Sequence, residues 1–344
     1  MTFTLNYFKM VEQEIGYHTG KNNLIVGTST PMKEIYKKIG GIVSVESPSS
    51  VILINGETGT GKALVSEAIH YKSPRCEKPF IVIDCATIPE SILESELFGY
   101  VKGAFTGAIK EKYGSFIRAD GGTIVLDGIN NMSLASQAKL LSAVGEREIK
   151  LVGSDEKIKV NATIIVTTNR NLEKMVKEGQ FRGDLFYRIN QETIYLPPLR
   201  ERRDDIALLF NYFLNKYPKN STSVDKEAYQ FLELYSWPGN VWELTEMVRK
   251  LSYNGGVVYQ KDIINLIKPK NIHEDSGDGY SQILSKMINS DISLKDGMDA
   301  IKGFIINHFL NQKGWTQKEI ADSLGKDRKT LRIWMRGHRI KKER

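Results

Sequence analysis

Short apolar runs rich in β-branched residues alternate with segments of helical periodicity from residue 51 onward. The apolar runs lie at Val51–Ile54, Phe80–Ile83, Thr123–Leu126 and Thr163–Thr167, and the helical stretches between them include Ala63–Ile69 and Gln137–Val144. Strands that alternate with helices are typical of βαβ units and a parallel sheet. The pattern therefore predicts an α/β domain.

The strand pattern fades after about Pro198. Helical periodicity continues at Ile206–Leu214, Lys226–Leu234 and Val241–Leu251, which predicts a smaller helical subdomain. Residues 269–281 are rich in Gly, Ser, Asp, Asn and Pro and have no apolar periodicity, so they are predicted to form a linker. Helical patterns resume at residue 292 and continue to the end of the chain.

The composition is that of an ordinary globular protein, with 41% hydrophobic and 26% charged residues among 344. No apolar run approaches the roughly 18 residues that a membrane-spanning helix needs, and Met1–Tyr17 does not resemble a signal peptide. The two cysteines, Cys76 and Cys85, form neither a disulfide framework nor a zinc site. A reduced, cytoplasmic setting is expected.

The net charge of +7 is concentrated at one end of the chain. Residues 326–344 contain nine basic and two acidic residues, an excess equal to that of the whole chain. A local basic excess indicates a polyanion as partner. A solvated basic tail is the alternative, and charge alone does not decide between them.

A glycine-rich segment between the first strand and the first helix has the Gly-x-x-x-x-Gly-Lys pattern of a phosphate-binding loop. Such a loop turns backbone N–H groups toward phosphate oxygens at a helix N-terminus. Lys62 is expected to reach the β- and γ-phosphates, whereas Ala63 replaces the hydroxyl that usually contacts Mg²⁺, so Thr60 or water is the expected substitute. A glycine-rich turn without a ligand is the weaker alternative. The candidate nucleotide-binding residues are Gly56, Glu57, Thr58, Gly59, Thr60, Gly61, Lys62 and Ala63.

A second apolar strand, Thr123–Leu126, is followed by the carboxylate of Asp127. In P-loop nucleotidases such an aspartate holds Mg²⁺, so Asp127 is the candidate metal residue. A strand-end carboxylate without this role is the alternative. A glutamate that polarises the attacking water normally follows, but Gly128 stands there and has no side chain that accepts a proton or orients water.

The hexapeptide between these two motifs carries a family resemblance. It resembles the signature of the sigma-54-dependent enhancer-binding proteins, a branch of the AAA+ ATPases. In that family the loop contacts the sigma factor, and the resemblance carries this role to Gly103, Ala104, Phe105, Thr106, Gly107 and Ala108. Independently of the resemblance, glycines bracket a loop whose only sizeable side chains are Phe105 and Thr106, which favours an exposed contact surface. An aromatic ring buried in a glycine-rich turn is the alternative.

Further segments resemble the same family. Asn169 lies in a segment similar to the sensor-one strand, which implies a place near the γ-phosphate. Arg182 and Arg188 lie in a segment similar to the arginine-finger region, which implies contact with the nucleotide of a neighbouring subunit. Leu196–Arg202 and Trp237–Val241 also fit the family pattern.

Three positions depart from the family pattern. Gly128 replaces the catalytic-base glutamate, Ala63 stands where the family commonly has an acidic residue, and Trp242 occupies the sensor-two position of an arginine. A tryptophan cannot supply that charge, although it can stack on a base or pack in the lid. Asp84, at the end of another strand, is a candidate to position water in place of the missing glutamate, and a purely structural acceptor is the alternative.

The basic C-terminal end has the layout of a helix-turn-helix. Thr316 and Glu319 form a capping-box pattern, Gly325 ends the first helix, and a basic second helix follows. The segment resembles a Fis-type domain, with a helical bundle bearing a charged face as the alternative. Residues 292–310 are a candidate dimer contact. The candidate DNA-contacting residues are Arg328, Lys329, Arg332 and Arg336.

The predicted fold is a P-loop parallel sheet of AAA+ type with a helical lid, followed by an all-α domain. The predicted boundaries are an N-terminal segment (1–24), the α/β nucleotide-binding subdomain (25–198), the lid (199–268), a linker (269–290) and the helix-turn-helix domain (291–344).

The resemblance implies a sigma-54-dependent transcription activator that uses ATP and Mg²⁺. Its implied partners are sigma-54 RNA polymerase holoenzyme, double-stranded DNA upstream of promoters, a ring of identical subunits (a hexamer) and a regulatory partner protein, with no membrane. The first alternative is a hydrolysis-deficient nucleotide-binding DNA regulator that acts as a switch or a mixed-ring partner. The second is a DNA-remodelling AAA+ protein unrelated to sigma-54, which the hexapeptide disfavours.

Overall fold

The computed structural model describes residues 16–19, 23–44, 51–217, 222–254 and 256–267, together with residues 321, 329, 331 and 332. The chain divides into two compact units, Met1–Val258 and Tyr259–Arg344. The predicted N-terminal segment, the linker and most of the predicted C-terminal domain lie outside the described residues. The structure does not test the predicted domain boundaries, which stay a prediction.

The described residues of the first half of the first unit form seven strands and four helices. In chain order they are β1 (Gly16–His18), β2 (Leu24–Val26), α1 (Thr30–Ser44), β3 (Val51–Asn55), α2 (Lys62–Tyr71), β4 (Phe80–Asp84), α3 (Glu90–Phe98), β5 (Gly99–Tyr100), β6 (Lys112–Tyr113), α4 (Ser115–Arg118) and β7 (Thr123–Asp127).

The remainder of this unit adds six strands and six helices among the described residues. They are α5 (Leu134–Gly145), β8 (Glu148–Lys150), β9 (Lys157–Lys159), β10 (Thr163–Thr168), α6 (Leu172–Lys177), α7 (Gly183–Ile189), β11 (Glu192–Tyr195), α8 (Asp204–Lys216), β12 (Thr222–Val224), α9 (Lys226–Leu234), α10 (Asn240–Asn254) and β13 (Gly256–Val258). In the second unit the structure describes α11 (Gln260–Ile267).

Five parallel strands form the central sheet, in the order β11-β3-β10-β7-β4. Successive side chains of a strand point to opposite faces. Val51 and Leu53 accordingly join one buried apolar cluster, and Ile52 and Ile54 join another. Because both faces are buried, the strands appear in the sequence as continuous apolar runs. The α/β prediction is confirmed.

The register brings several polar side chains to the carboxyl edge of the sheet. Asp84 at the end of β4 lies opposite Asp127 at the end of β7, and Thr168 of β10 lies opposite Asn55 of β3. Ligands of open parallel sheets bind at this edge. The loop after Asn55 therefore begins at the edge where the strand-end carboxylates lie.

The predicted helical subdomain contains the three expected helices, α8, α9 and α10, and one feature that the sequence did not reveal. Strands β12 and β13 form a small parallel pair after Pro198, where no strand was expected. Three residues are too few to show periodicity, which explains the omission. Trp237 anchors this region, since it is fully buried and its indole N–H donates to the carbonyl of Leu232 at 2.8 Å.

None of the helices that the structure describes is long and apolar enough to cross a membrane. In the second unit, Lys329 and Arg332 are helical and exposed, whereas Leu331 between them is buried. That alternation fits the predicted recognition helix. Arg328 and Arg336 lie outside the described residues.

Candidate nucleotide and partner-contact sites

The phosphate-binding loop connects β3 to α2, as the sequence predicted. Gly59 and Gly61 have φ values of 79° and 107°, a left-handed conformation that favours glycine. A Cβ atom at Gly59 would lie 2.3 Å from the carbonyl oxygen of Gly239, which belongs to the helical subdomain. Glycine is therefore required at this position both by backbone conformation and by the close approach of the lid.

Lys62 is the first residue of α2, and its ammonium group folds back over the loop. Its Nζ donates to the carbonyl oxygens of Gly56 at 2.8 Å and Glu57 at 3.0 Å. An ammonium has three donors, so one N–H remains for a phosphate oxygen. Burial lowers the pKa of Lys62, and the Asp127 carboxylate acts in the opposite direction. The loop is preorganised to receive an anion.

Replacing Lys62 with alanine is expected to weaken ATP binding by roughly 10- to 100-fold, because a charge-assisted hydrogen bond to phosphate is lost. Titration with a fluorescent ATP analogue measures the effect. Lys33→Ala, which removes an exposed lysine of α1, is the matched control and should bind normally. Equal affinities for the Lys62 variant and the wild type would show that this loop does not hold the phosphates.

The other loop side chains are occupied by internal contacts. The hydroxyl of Thr60 is buried and donates to the carbonyl of Glu57 at 2.8 Å. This hydrogen bond uses the proton of the hydroxyl and leaves its oxygen lone pairs, so both Thr60 and water stay candidates for the Mg²⁺ contact that Ala63 lacks.

The amide of Asn240 ties the lid to the phosphate-binding loop. It accepts a hydrogen bond from the backbone N–H of Leu199 at 2.7 Å and donates to the carboxylate of Glu57 at 3.1 Å and the carbonyl of Thr58 at 3.0 Å. Arg200 forms a two-pronged ion pair with Glu57, at 2.8 and 2.6 Å, which lowers the pKa of that carboxyl. The sequence identified this segment only by its family pattern, whereas the structure shows its contacts.

A second, buried connection runs from the start of α8. The guanidinium of Arg202 donates to the carbonyl of Thr60 at 2.9 Å. Asp205, fully buried, accepts hydrogen bonds from the backbone N–H groups of Thr28 and Ser29 at 2.7 and 2.9 Å, and from the Ser29 hydroxyl at 2.6 Å. The lid is thus hydrogen-bonded both to the phosphate-binding loop and to the segment that precedes α1.

Trp242 lies at the rim of this site. It belongs to the first turn of α10, its side chain is 68% exposed, and its Cβ lies 3.1 Å from the position of a Cβ on Gly59. The sequence left two roles open for the Trp242 side chain, stacking on a base and packing within the lid. Its exposure agrees better with stacking.

The carboxylate of Asp127 and the hydroxyl of Thr167 are hydrogen-bonded to each other at the sheet edge. The same hydroxyl accepts the backbone N–H of Gly128 at 3.1 Å. No group of three or more Asp, Glu, His or Cys side chains among the described residues forms a complete metal cage. A single carboxylate does fit Mg²⁺ that arrives with a nucleotide, because Mg²⁺ then takes its other ligands from phosphates and water.

Asp84 stands beside Asp127 in the sheet register, and its Oδ1 accepts the backbone N–H groups of Ala86 at 2.8 Å and Thr87 at 3.2 Å. One oxygen thus stabilises the turn after β4. The other oxygen, Oδ2, is the atom that would contact water if Asp84 positions it. The position is compatible with both roles that the sequence left open.

The amide of Asn169 donates to the hydroxyl of Thr58 in the phosphate-binding loop at 3.1 Å. Arg182 pairs with Asp184 through two hydrogen bonds of 3.0 and 2.7 Å and stays half-exposed, and Arg188 is exposed. Asn169 thus lies beside the candidate nucleotide site of its own chain. The two arginines lie on the surface at the start and near the end of α7.

The hexapeptide forms a closed, exposed loop. The backbone N–H of Gly103 donates to the carbonyl of Ala108 at 2.9 Å, which closes the loop at its base. Phe105 is 47% exposed, and its ring packs edge-to-face with Tyr100 at 4.9 Å between centroids. The alternative of a buried aromatic is therefore wrong.

The sequence analysis missed Ile109, which lies directly after the loop and is 77% exposed. The signal that marks it is an apolar residue at the start of a charged run.

Two known protein families match most of the chain between residues 25 and 277. Residues 25–195 match the model of the sigma-54 interaction domain, and residues 200–277 match the AAA+ ATPase lid domain. The chain belongs to the sigma-54 interaction domain family. The predicted recognition is confirmed, although these matches do not extend to the helix-turn-helix.

Individual members of the sigma-54 interaction domain family agree with this assignment. The chain is 40% identical over 316 residues to the regulatory protein AtoC of Escherichia coli K12, covering 89% of this chain and 66% of AtoC. It is 41% identical over 311 residues to the putative uric acid sigma-54-dependent transcriptional regulator UacR of the same organism, covering 88% of this chain and 51% of UacR. The chain thus spans about half to two thirds of these curated relatives. They do not favour the hydrolysis-deficient alternative.

Solved structures confirm the fold. NtrX from Brucella abortus in complex with ATP superposes with a TM-score of 0.64 at 27% identity, covering 98% of this chain and 73% of NtrX. NtrX in complex with ADP gives a TM-score of 0.68 at 28% identity, covering 92% of this chain and 70% of NtrX. The AAA+ fold prediction is confirmed for the α/β and lid parts.

Proposed function

We propose that this chain is an ATP-dependent transcription activator that remodels sigma-54 RNA polymerase holoenzyme from an upstream DNA site. One juxtaposition carries the proposal. A preorganised phosphate-binding loop, with Lys62 beside Asp127, occurs in the same sigma-54 interaction domain as an exposed hexapeptide loop that presents Phe105.

Nucleotide binding uses groups that already lie together. Lys62 and the loop N–H groups bind the phosphates, Asp127 holds Mg²⁺, and Asn169 lies near the γ-phosphate. Arg182 and Arg188 of one subunit reach the nucleotide of the next in a hexameric ring, for which their surface position at α7 is suited. Hydrolysis then changes the position of the loop that carries Phe105 and Thr106.

The C-terminal domain is proposed to bind double-stranded DNA through Arg328, Lys329, Arg332 and Arg336. The exposure of Lys329 and Arg332, on a helix that buries Leu331, supports a charged recognition face. The basic excess of residues 326–344 supports a polyanion partner. A cytoplasmic location and control by a regulatory partner protein complete the proposal.

ATP turnover measured over a range of protein concentrations, beside nucleotide binding, tests the function. Turnover per subunit that rises cooperatively with concentration supports a ring ATPase whose active sites are completed by neighbours. Transcription from a sigma-54 promoter, with and without its upstream site, tests the partners. Nucleotide binding without turnover, in the presence of sigma-54 holoenzyme and DNA, contradicts the proposal.

Asp84→Asn tests whether the Asp84 carboxylate positions the attacking water, as the sequence analysis suggested. If the free carboxylate oxygen acts on the attacking water, turnover falls by about 100-fold or more, since the substitution removes a general base. Because the remaining amide oxygen still accepts the N–H groups of Ala86 and Thr87, nucleotide affinity should be unchanged. Unchanged turnover would leave Asp84 with the structural role alone.

A further inference from the structure

A chain of side-chain hydrogen bonds surrounds the position where the family's glutamate is missing. Thr168, the neighbour of Asn169, donates from its hydroxyl to Asn130 Oδ1 at 2.9 Å, and Asn130 Nδ2 donates to Asn131 Oδ1 at 3.3 Å. Asn131 Nδ2 donates to the carbonyl oxygen of Gly128 at 3.0 Å. The amide of Asn131 is thus connected to β10, the strand that leads to Asn169.

The Asn131 amide also occupies the space beside Gly128. A Cβ atom on Gly128 would lie 2.9 Å from Asn131 Nδ2, and the next nearest atom is the Cβ of Ala86 at 4.0 Å. Gly128 has a φ of 74°, in the left-handed region. This turn is therefore built around a glycine, and an exposed asparagine stands where a side chain at position 128 would leave the backbone.

The bonding capacity of Asn131 leaves room for water. A side-chain amide has two N–H donors and two acceptor lone pairs. Its hydrogen bonds to other described residues use one donor and one lone pair, so one of each remains. Small GTPases orient their attacking water with a glutamine amide, which shows that an amide serves this purpose without being a strong base.

We propose that Asn131 is the positioning residue that orients the attacking water in place of the missing glutamate. The inference rests on the proposed ATP hydrolysis. In that step the water oxygen bonds to the γ-phosphorus while the bond from this phosphorus to the bridging oxygen of ADP breaks. ADP and inorganic phosphate leave, and the water proton goes to a phosphate oxygen, to solvent or to the Asp84 carboxylate if that group acts as the base. The amide takes up no proton.

Asn131→Leu removes both polar atoms at nearly constant side-chain volume. ADP–aluminium fluoride mimics the transition state with its attacking water, whereas ADP–beryllium fluoride mimics bound ATP. We expect the variant to bind the aluminium complex and to hydrolyse ATP about 10- to 100-fold less well, the effect of losing hydrogen bonds to a reacting group. Binding of the beryllium complex and the melting temperature should stay close to the wild type.

Asn211→Leu is the matched control, because Asn211 is an exposed asparagine of α8 that accepts a hydrogen bond from Tyr229. Asn211→Leu should leave the binding of both analogues and the rate of ATP turnover unchanged. Asn131→Gln keeps the amide and should retain more turnover than Asn131→Leu.

Two failures are distinguishable. A wild-type protein that hydrolyses ATP at a rate unaffected by Asn131→Leu overturns the role of Asn131 and leaves the proposed function standing. Equal weakening of both analogues also overturns it, because it indicates a ground-state contact. A wild-type protein with neither turnover nor preference for the aluminium complex overturns the proposed hydrolysis, and the role of Asn131 with it.

Discussion

Phe105→Ala is expected to abolish sigma-54-dependent transcription while leaving nucleotide binding unchanged. The ring is half-exposed on a loop that is closed at its base by the Gly103–Ala108 backbone hydrogen bond, and it packs against Tyr100 in an edge-to-face arrangement. Truncation therefore removes contact surface and leaves the core intact. An aromatic anchor at the centre of a protein interface commonly contributes about 2 kcal/mol or more, which corresponds to a loss of roughly 30-fold or more in affinity.

Transcription in vitro from a sigma-54 promoter measures this effect, beside titration with a fluorescent ATP analogue. Tyr253→Ala removes another half-exposed aromatic, on α10 of the lid, and should leave transcription near the wild-type level. Full activity of the Phe105 variant would show that the ring is not the sigma-54 contact. Joint loss of transcription and nucleotide binding would indicate damage to the fold instead.

The central sheet could be predicted because its strands are buried on both faces. Such strands appear as uninterrupted apolar runs, and the predicted ends of β3, β4, β7 and β10 each lie one residue short of the observed ends. The missing residue is polar or charged in all four strands (Asn55, Asp84, Asp127 and Thr168), so the predicted run stops before the hydrogen-bonded ladder does.

The candidate site was predicted where short motifs specify it and missed where distant segments meet. The phosphate-binding loop is contiguous, so its spacing identifies it. The hexapeptide is contiguous as well, and its six residues carry the family resemblance. The hydrogen bond from Asn240 to Glu57 joins residues that lie 183 positions apart in the sequence, and no local pattern indicates such a contact. Asn131 was missed for a related reason: its place beside Gly128 depends on the single helical turn of Ile129–Asn131 that follows β7.

Gly128→Glu, which restores the family's glutamate, is expected to lower ATP turnover. A residue other than glycine at a φ of 74° costs about 1–3 kcal/mol, because the left-handed region is unfavourable for side chains. In addition, the new Cβ would lie 2.9 Å from Asn131 Nδ2 and displace that amide from the Gly128 carbonyl. The variant adds a carboxylate while it displaces the proposed water-positioning amide.

Gly179→Glu separates backbone strain from the effect at the site. Gly179 has a φ of 70°, and a Cβ there meets nothing within 4 Å. Both variants should therefore lose thermal stability to a similar degree, whereas Gly128→Glu alone should lose turnover, measured with saturating ATP. Turnover above the wild-type rate in Gly128→Glu would mean that the turn adapts to a side chain and that a carboxylate at position 128 activates water better than the Asn131 amide.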